Sequence, residues 1–506
     1  MIPAEWLPVL CIAVPLAAGV AILPMEKLPR RVPEVLAVAA AALTLLLSGM
    51  LTLQVYGGNL IVHLMAGWKP PVGIVLTVDL FNAFIALIVV FLVFLSALFS
   101  ASYMHGETGL NYYYSFMMLM LGGMLGVILT GDIFNLFVFM ELTGISAYGL
   151  TVFRAYRARA LEAGFRYLIL GAVGTSLLLL GVALLYGAVG TVNYADLAVR
   201  LSKGIFLPGV DGSLVIPLSI MLIVTGLGVK ASFFPLHTVH LDAASESPSP
   251  VGAILSGAET KVGLYAICRI LFLVFPSTVA VDFGFVVAVI SLFTMTFGNV
   301  AALLQEDLKR MLAYSSIAHI GYILMGVAAG SQLGVSAALL HIFNHSVMKG
   351  VCFLCAGIFM SQVGTRSLSQ LSGVGRRLPV TTTLLSIAFL SLIGVPPLSG
   401  FVSKFLLFTA SLTAGMLWLV LAAIINTVLS TGYYLRFLKV LIRPSTSLPR
   451  EDVKEASPLL LASPFILTVL LVVFGLWPQP LLEVSNQAAS TLFQLSKYVS
   501  TVLGGS

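Results

Sequence analysis

Charge is what this sequence has least of. Asp, Glu, Lys and Arg make up only 9% of its 506 residues, against about 25% in an ordinary soluble domain. So few charges cannot coat a water-soluble globule of this size, and with 59% hydrophobic residues the chain belongs in a bilayer. The formal charge of +6 does not indicate a nucleic-acid partner, because the basic residues are scattered through short loops instead of being gathered in one patch.

Cysteine is scarce as well. Cys11 and Cys268 stand alone in apolar runs, while Cys352 and Cys355 follow a helical i, i+3 spacing among apolar neighbours. No disulfide framework and no metal set is implied, and small interior packing residues account for the Cys352/Cys355 pair. Glycine-rich stretches such as Gly122-Gly123 fall inside helical runs and follow no phosphate-cradling pattern, so close helix packing explains them.

What is present is a succession of apolar runs, each near the roughly 20 residues that a spanning helix needs, separated by short Pro, Gly or charge-bearing punctuation. The expected fold is an all-α polytopic membrane protein of about fourteen transmembrane helices. The first run, from Trp6 to Pro24, has no basic segment before it and is read as a retained helix. Basic residues recur in alternate loops: Lys27, Arg30 and Arg31, then Arg154, Arg157 and Arg159, then Lys309 and Arg310, then Arg366, Arg376 and Arg377, then Arg443, Arg450 and Lys454. This bias places those loops inside and both termini outside the cell membrane. The tail over 481–503 mixes apolar residues with Glu483, Gln487, Gln494 and Lys497, the pattern of an interfacial or partner-facing helix.

The seventh and twelfth expected helices are interrupted, one by Pro235 and the other by Pro396 and Pro397. A proline break frees backbone groups that must line something polar. The two are five apart in order and therefore cross in opposite directions, as two inverted five-helix units require. The chain divides accordingly into N-terminal helices (1–110), a first repeat of helices four to eight (111–275), a second repeat of helices nine to thirteen (276–440), and a last helix with its tail (441–506).

Four charges lie where lipid is expected. Glu141 in helix five, Lys230 in helix seven, Lys261 in helix eight and Lys404 in helix twelve each stand near mid-span in apolar or small-residue surroundings, at an insertion cost of roughly 2.5–3.5 kcal/mol apiece. A purely structural role as ion pairs is disfavoured, since one Glu cannot neutralise three Lys. A lysine removed from water sheds its proton readily and a neighbouring carboxylate holds it on, so a Glu–Lys contact that opens and closes is a proton switch.

His341, His345 and Lys349 follow at i, i+4 steps on one face of helix eleven and form a relay stripe. A zinc site at His341 and His345 lacks both a hydrolytic Glu and a third ligand. His319 stands at nearly the depth in helix ten that Glu141 has in helix five, and it and His237 are accessory candidates. The Glu306, Asp307, Lys309, Arg310 turn and the Glu162/Arg166 pair read as ordinary interfacial ion pairs. Asp132 falls at a loop edge, where water is expected to solvate it.

These motifs resemble a known family over about residues 75 to 440: the antiporter-like proton-translocating subunits of Mrp-type cation/proton antiporters, respiratory complex I and energy-converting membrane hydrogenases. The resemblance is carried by Gly-Leu-Gly-Val-Lys230-Ala-Ser-Phe-Phe-Pro-Leu-His, by Ser-Gly-Ala-Glu-Thr-Lys261-Val-Gly-Leu-Tyr, by Glu-Asp-Leu-Lys-Arg-Met-Leu-Ala-Tyr-Ser-Ser-Ile-Ala-His319 and by Pro-Pro-Leu-Ser-Gly-Phe-Val-Ser-Lys404. It implies a Glu141–Lys230 pair, transfer through Lys261 toward Lys404, and two half-channels joined at mid-membrane. It implies translocation of protons, with sodium as a second candidate, within a multisubunit assembly, no catalytic centre and no cofactor in this chain. The chain departs from the family after helix seven, where relatives commonly show His-x-Trp-Leu-Pro-Asp-Ala-His and this sequence has His237-Thr-Val-His240-Leu-Asp242-Ala-Ala. The wording is closest to Mrp D-type and hydrogenase-type subunits, with a complex I-type subunit or a non-conducting scaffold as the alternatives.

Overall fold

The structure, a computed structural model, describes residues 3–275, 283–443 and 453–504. Arg450, one of the basic loop residues, lies outside them. In chain order the helices are α1 (Leu7–Ile22), α2 (Arg31–Val55), α3 (Leu80–Tyr103), α4 (Leu110–Leu129), α5 (Ile133–Thr151), α6 (Ala158–Val189), α7 (Tyr194–Ser202), α8 (Gly212–Ala231) and α9 (Thr238–Glu246). There follow α10 (Ser249–Ile254), α11 (Thr260–Arg269), α12 (Phe283–Leu303), α13 (Leu308–Ala328), α14 (Gln332–Val363), α15 (Pro379–Ile393), α16 (Ser399–Thr413), α17 (Leu417–Ile442), α18 (Pro458–Leu476), α19 (Gln479–Leu492) and α20 (Leu495–Gly504).

Among the described residues, 12 helices are long and apolar enough to cross a membrane, or up to 13 if one bent pair counts as a single span. The polytopic all-α architecture is thus the observed one. The expected eighth and twelfth spans are not among the uninterrupted twelve. The eighth is α10 and α11 with π-helical turns at Leu255–Glu259 and Ile270–Val274, and the twelfth is α15 and α16 parted by residues 394–398. The seventh is broken as expected, α8 ending at a left-handed Ser232 before Pro235 and α9.

One feature departs from all-α. A two-stranded antiparallel hairpin pairs β1 (Ile61–Leu64) with β2 (Val75–Val78), Ile61 opposite Val78. The third helix therefore starts later than its apolar run suggests, at Leu80. Asp79 halts it with a capping box, its carboxylate accepting from the Asn82 N–H at 3.1 Å while the Asn82 side chain accepts from the Asp79 N–H at 2.9 Å.

The hairpin marks one end of the bundle, together with α20: the Tyr498 hydroxyl lies 3.0 Å from Thr77 Oγ1. Beneath it sits a charged pair that sequence reading passed over. Arg269 at the end of α11 bonds Asp79 at 2.7 Å with both side chains buried, and the guanidinium lies over the rings of Phe81, Tyr265 and Tyr498 at 5.6–5.9 Å. The tail expected to lie at an interface forms α19 and α20, which pack on α3, α14 and α7.

Ion pairs crowd the opposite end, where Arg154 meets Glu107, Arg366 meets Glu246 and Asp307, and Asp242 lies between Arg166 and Arg310. Glu306 pairs with Arg436 and Glu162 with Arg166, as ordinary interfacial bridges do. Lys309 departs from that reading, because its side chain is buried and donates to the Ser247 carbonyl at 2.5 Å.

Asp132 also corrects an expectation. It is buried, not solvated, because the hairpin and the start of α7 close over it through bridges from Leu76 to Thr130 and from Asp132 to Asn193. Its side chain caps α5 by accepting from the Asn135 N–H at 2.8 Å. Burial pushes its carboxyl from 3.8 up to about 6, against the backbone donors of Asn135 and Phe134. The folded chain holds this proton more tightly than the unfolded chain, so the stability contributed here is fully present below about pH 4 and is lost as pH rises through 6. Asp132→Asn keeps a capping oxygen and cannot ionise. Its melting temperature in detergent is expected to exceed wild type at pH 7.5 and to converge with it near pH 4. Parallel curves for the two proteins would show that Asp132 does not titrate between those limits.

Candidate ion path

The breaks in the helices create the acceptors that the buried lysines use. Pro397 has no N–H, so the Ile393 carbonyl, four residues earlier, loses its helical donor. The Lys404 ammonium takes that carbonyl at 3.1 Å and lies 4.8 Å from the centre of the Tyr322 ring. In the eighth span the π-turn leaves carbonyls for side chains: Lys261 Nζ donates to Ser256 O at 2.6 Å and to Thr260 Oγ1 at 2.9 Å, and the Ser346 hydroxyl donates to Gly257 O at 2.5 Å. At the first break the Phe234 N–H is satisfied by Thr294 Oγ1 at 3.1 Å.

Between Lys261 and Lys404 runs a row of buried polar groups on α13, α14 and α16. The Ser256 and Ser316 hydroxyls are 2.5 Å apart. Lys349 donates to the Leu312 carbonyl at 3.0 Å and contacts the Ser315 hydroxyl. The His345 ring centre is 5.1 Å from that of His319, His319 Nδ1 is 3.0 Å from His341 Nε2, and His341 Nδ1 is 2.9 Å from Ser403 Oγ, the neighbour of Lys404.

A neutral imidazole has one donating and one accepting nitrogen, so a proton added at one side of His341 releases another at the far side. Both nitrogens of His345 and Nε2 of His319 are buried without a hydrogen-bond partner, the condition of groups that take up transient ones. His319 lies at the centre of this row. His237 lies apart from it and packs on Phe297 with ring centres 4.3 Å apart, at the first helix break.

The other half of the site differs from expectation. Lys230 is buried, yet it forms no ion pair with Glu141, which is only partly buried and has no cation at ion-pair distance among the described residues. The lysine instead donates to the Tyr148 hydroxyl at 3.2 Å and lies over the Tyr148 and Tyr167 rings at 5.2 and 5.9 Å. Glycines make the space: a Cβ at Gly144 would stand 2.6 Å from Lys230 Nζ, and one at Gly171 would stand 2.1 Å from the Tyr148 hydroxyl. Sequence reading missed Tyr148, Tyr167 and Glu259. Their common signal is a polar residue within an apolar span, which is weak for tyrosine and, at Glu259, stands two residues before the more conspicuous Lys261.

A polytopic bundle with broken spans and a lysine–histidine row sealed in its interior defines a membrane subunit of the ion-translocating, antiporter-like class. Residues 130–430 match the family described as NADH:quinone oxidoreductase/Mrp antiporter, TM, and the chain belongs to that family. It is 35% identical over 503 residues to the N subunit of the NADH-quinone oxidoreductase of Desulforudis audaxviator, covering 96% of this chain and 98% of that one. It is 30% identical over 496 residues to the D-type subunit of the Na(+)/H(+) antiporter of Bacillus subtilis, covering 98% and 99%. A chain of the membrane-bound sulfane sulfur reductase, an archaeal respiratory membrane complex, superposes with a TM-score of 0.91 at 34% identity over 98% of this chain and 99% of that one.

Proposed function

We propose that this chain is a proton-translocating subunit of a multisubunit membrane complex, of Mrp-antiporter or energy-converting hydrogenase type, with sodium as a second transported ion to be tested. Glu141 and Lys230 form the gate, Lys261, His341, His345 and Lys349 the relay, and Lys404 the far carrier. His319 supplements the relay, and the chain needs no cofactor of its own. It lies in the cell membrane with both termini outside and packs against other membrane subunits of its assembly.

The observation that carries this reading is the row from Lys261 through His319 and His341 to Lys404, because its titratable groups are buried where a bilayer excludes bulk water. A non-conducting scaffold would have no use for such costly groups. A second reading, the proton-pumping arm of a quinone- or sulfur-reducing complex, is supported by the relatives at 34–35% identity.

The deciding experiment is purification of the native complex in mild detergent, identification of every co-purifying chain by mass spectrometry, and reconstitution into vesicles with a pH-sensitive dye. Small hydrophobic antiporter subunits and cation-driven dye response are expected for an Mrp-type assembly, and metal-cluster subunits with substrate-driven response for a redox type. An assembled complex that moves no protons under either drive overturns the proposal.

A further inference from the structure

The carboxylate that stands with Lys230 is not the expected one. Glu259 lies in the π-turn of the eighth span, 3% exposed. The Tyr167 hydroxyl reaches both of its oxygens, at 2.5 and 2.6 Å. Among the described residues it has no cation at ion-pair distance, and the charged group that interacts with it is Lys230. The rings of Tyr148 and Tyr167 meet edge to face with centres 4.7 Å apart, so Lys230, Tyr148, Tyr167 and Glu259 form one enclosed cluster drawn from four elements.

We propose that Glu259 is a second proton-carrying carboxylate of the path, accepting the proton of Lys230 and standing between Lys230 and Lys261. The inference rests on the translocation reading above and deepens it. One proton leaves Lys230 Nζ and one arrives on a Glu259 oxygen, converting an ammonium and a carboxylate into an amine and a carboxylic acid, with no electron moved. The Tyr148 hydroxyl is the first stop. With no Cβ at Gly144 and Gly171, the Lys230 ammonium and the Tyr148 hydroxyl lie close against the α5 and α6 backbones.

Two charges of opposite sign vanish together, which lowers the cost of holding either in a medium of low dielectric. The acid so formed is two residues from Lys261 on the same span. The titratable groups on the neighbouring helices, His240 on α9, His319 on α13, and His341, His345 and Lys349 on α14, interact with Lys261.

A carboxylate kept only to anchor Tyr167 would look the same in a static structure, so the test must read the proton. Glu259→Gln retains an oxygen for the Tyr167 hydroxyl and cannot ionise. In the purified, reconstituted complex it is expected to assemble normally and to lower proton translocation by about 10-fold or more, with partial rescue by Glu259→Asp. Infrared difference spectra of the wild-type complex across pH are expected to carry a carboxylic C=O band that Glu259→Gln removes.

Wild-type rates together with an unchanged infrared spectrum would overturn the assignment. Should Glu259→Gln fail to assemble, Tyr167→Phe, which deletes one hydroxyl, is expected to shift that band and slow transport, and no change in either overturns it equally. If the wild-type complex moves no protons, the proposed function falls, and loss of the infrared band in Glu259→Gln still decides whether Glu259 takes up a proton.

Discussion

Lys230→Ala is expected to abolish ion translocation by the assembled complex, and Glu141→Gln to do the same, with losses of about 100-fold or more. A relay cannot bypass a missing carrier in a bilayer, because no bulk water is available to hand the proton onward. Assembly is expected to survive, since Lys230 contributes one hydrogen bond, to Tyr148, and forms no ion pair at direct contact distance. Lys230→Arg sharpens the test. Arginine keeps its charge at any accessible pH, so it preserves electrostatics while forbidding proton release and is expected to be as inactive as alanine.

The measurement is dye-reported proton movement in vesicles, normalised to complex quantified by mass spectrometry. Wild-type rates in assembled Lys230→Ala and Glu141→Gln complexes would remove both residues from the path. Loss in Lys230→Ala alone would leave Lys230 as a carrier and dismiss Glu141 as its gate, an outcome that the separation of the two side chains makes worth resolving.

Arg269→Ala is the largest expected stability loss. Its guanidinium is sealed between Asp79 and three aromatic rings at the hairpin end, and truncation leaves the Asp79 carboxylate buried without its counter-charge. Breaking one member of such a pair costs about 3–5 kcal/mol. The same change removes the cation under Tyr498, whose hydroxyl docks α20 against Thr77, so the C-terminal helix should become susceptible to protease before the bundle melts.

The double variant Arg269→Met with Asp79→Asn removes both charges while keeping a capping oxygen for α3. It is expected to recover most of the loss. Thermal melting of the purified complex, with a C-terminal tag as protease reporter, checks both statements. A loss below about 1 kcal/mol for Arg269→Ala would mean that water reaches the pair and screens it.

Much of the candidate path was legible in the sequence because a bilayer makes charge conspicuous. Lys230, Lys261, Lys349 and Lys404 each interrupt an apolar span, and all four are buried. Helical spacing put His341, His345 and Lys349 on one stripe, and they occupy one face of α14 directed at α13. Proline marked both breaks, since a missing N–H has the same consequence in any fold. What spacing could not supply was partners. Tyr167 meets Glu259 across 92 residues and Arg269 meets Asp79 across 190, and a π-turn displaces the register by which Glu259 and Lys261 would be placed on a helical wheel.

The sequence by itself determined the bilayer environment, the succession of spans, the two breaks and the titratable residues, because hydropathy, proline geometry and the cost of buried charge are local properties of the chain. The tertiary structure alone decided that Tyr148 and not Glu141 bonds Lys230, that His319 meets His341 in the row, and that Asp132 and Arg269 are sealed beneath the hairpin and α20. Those outcomes depend on how helices far apart in sequence rotate against one another, and a nearly uniform apolar surface leaves that rotation unmarked in the sequence.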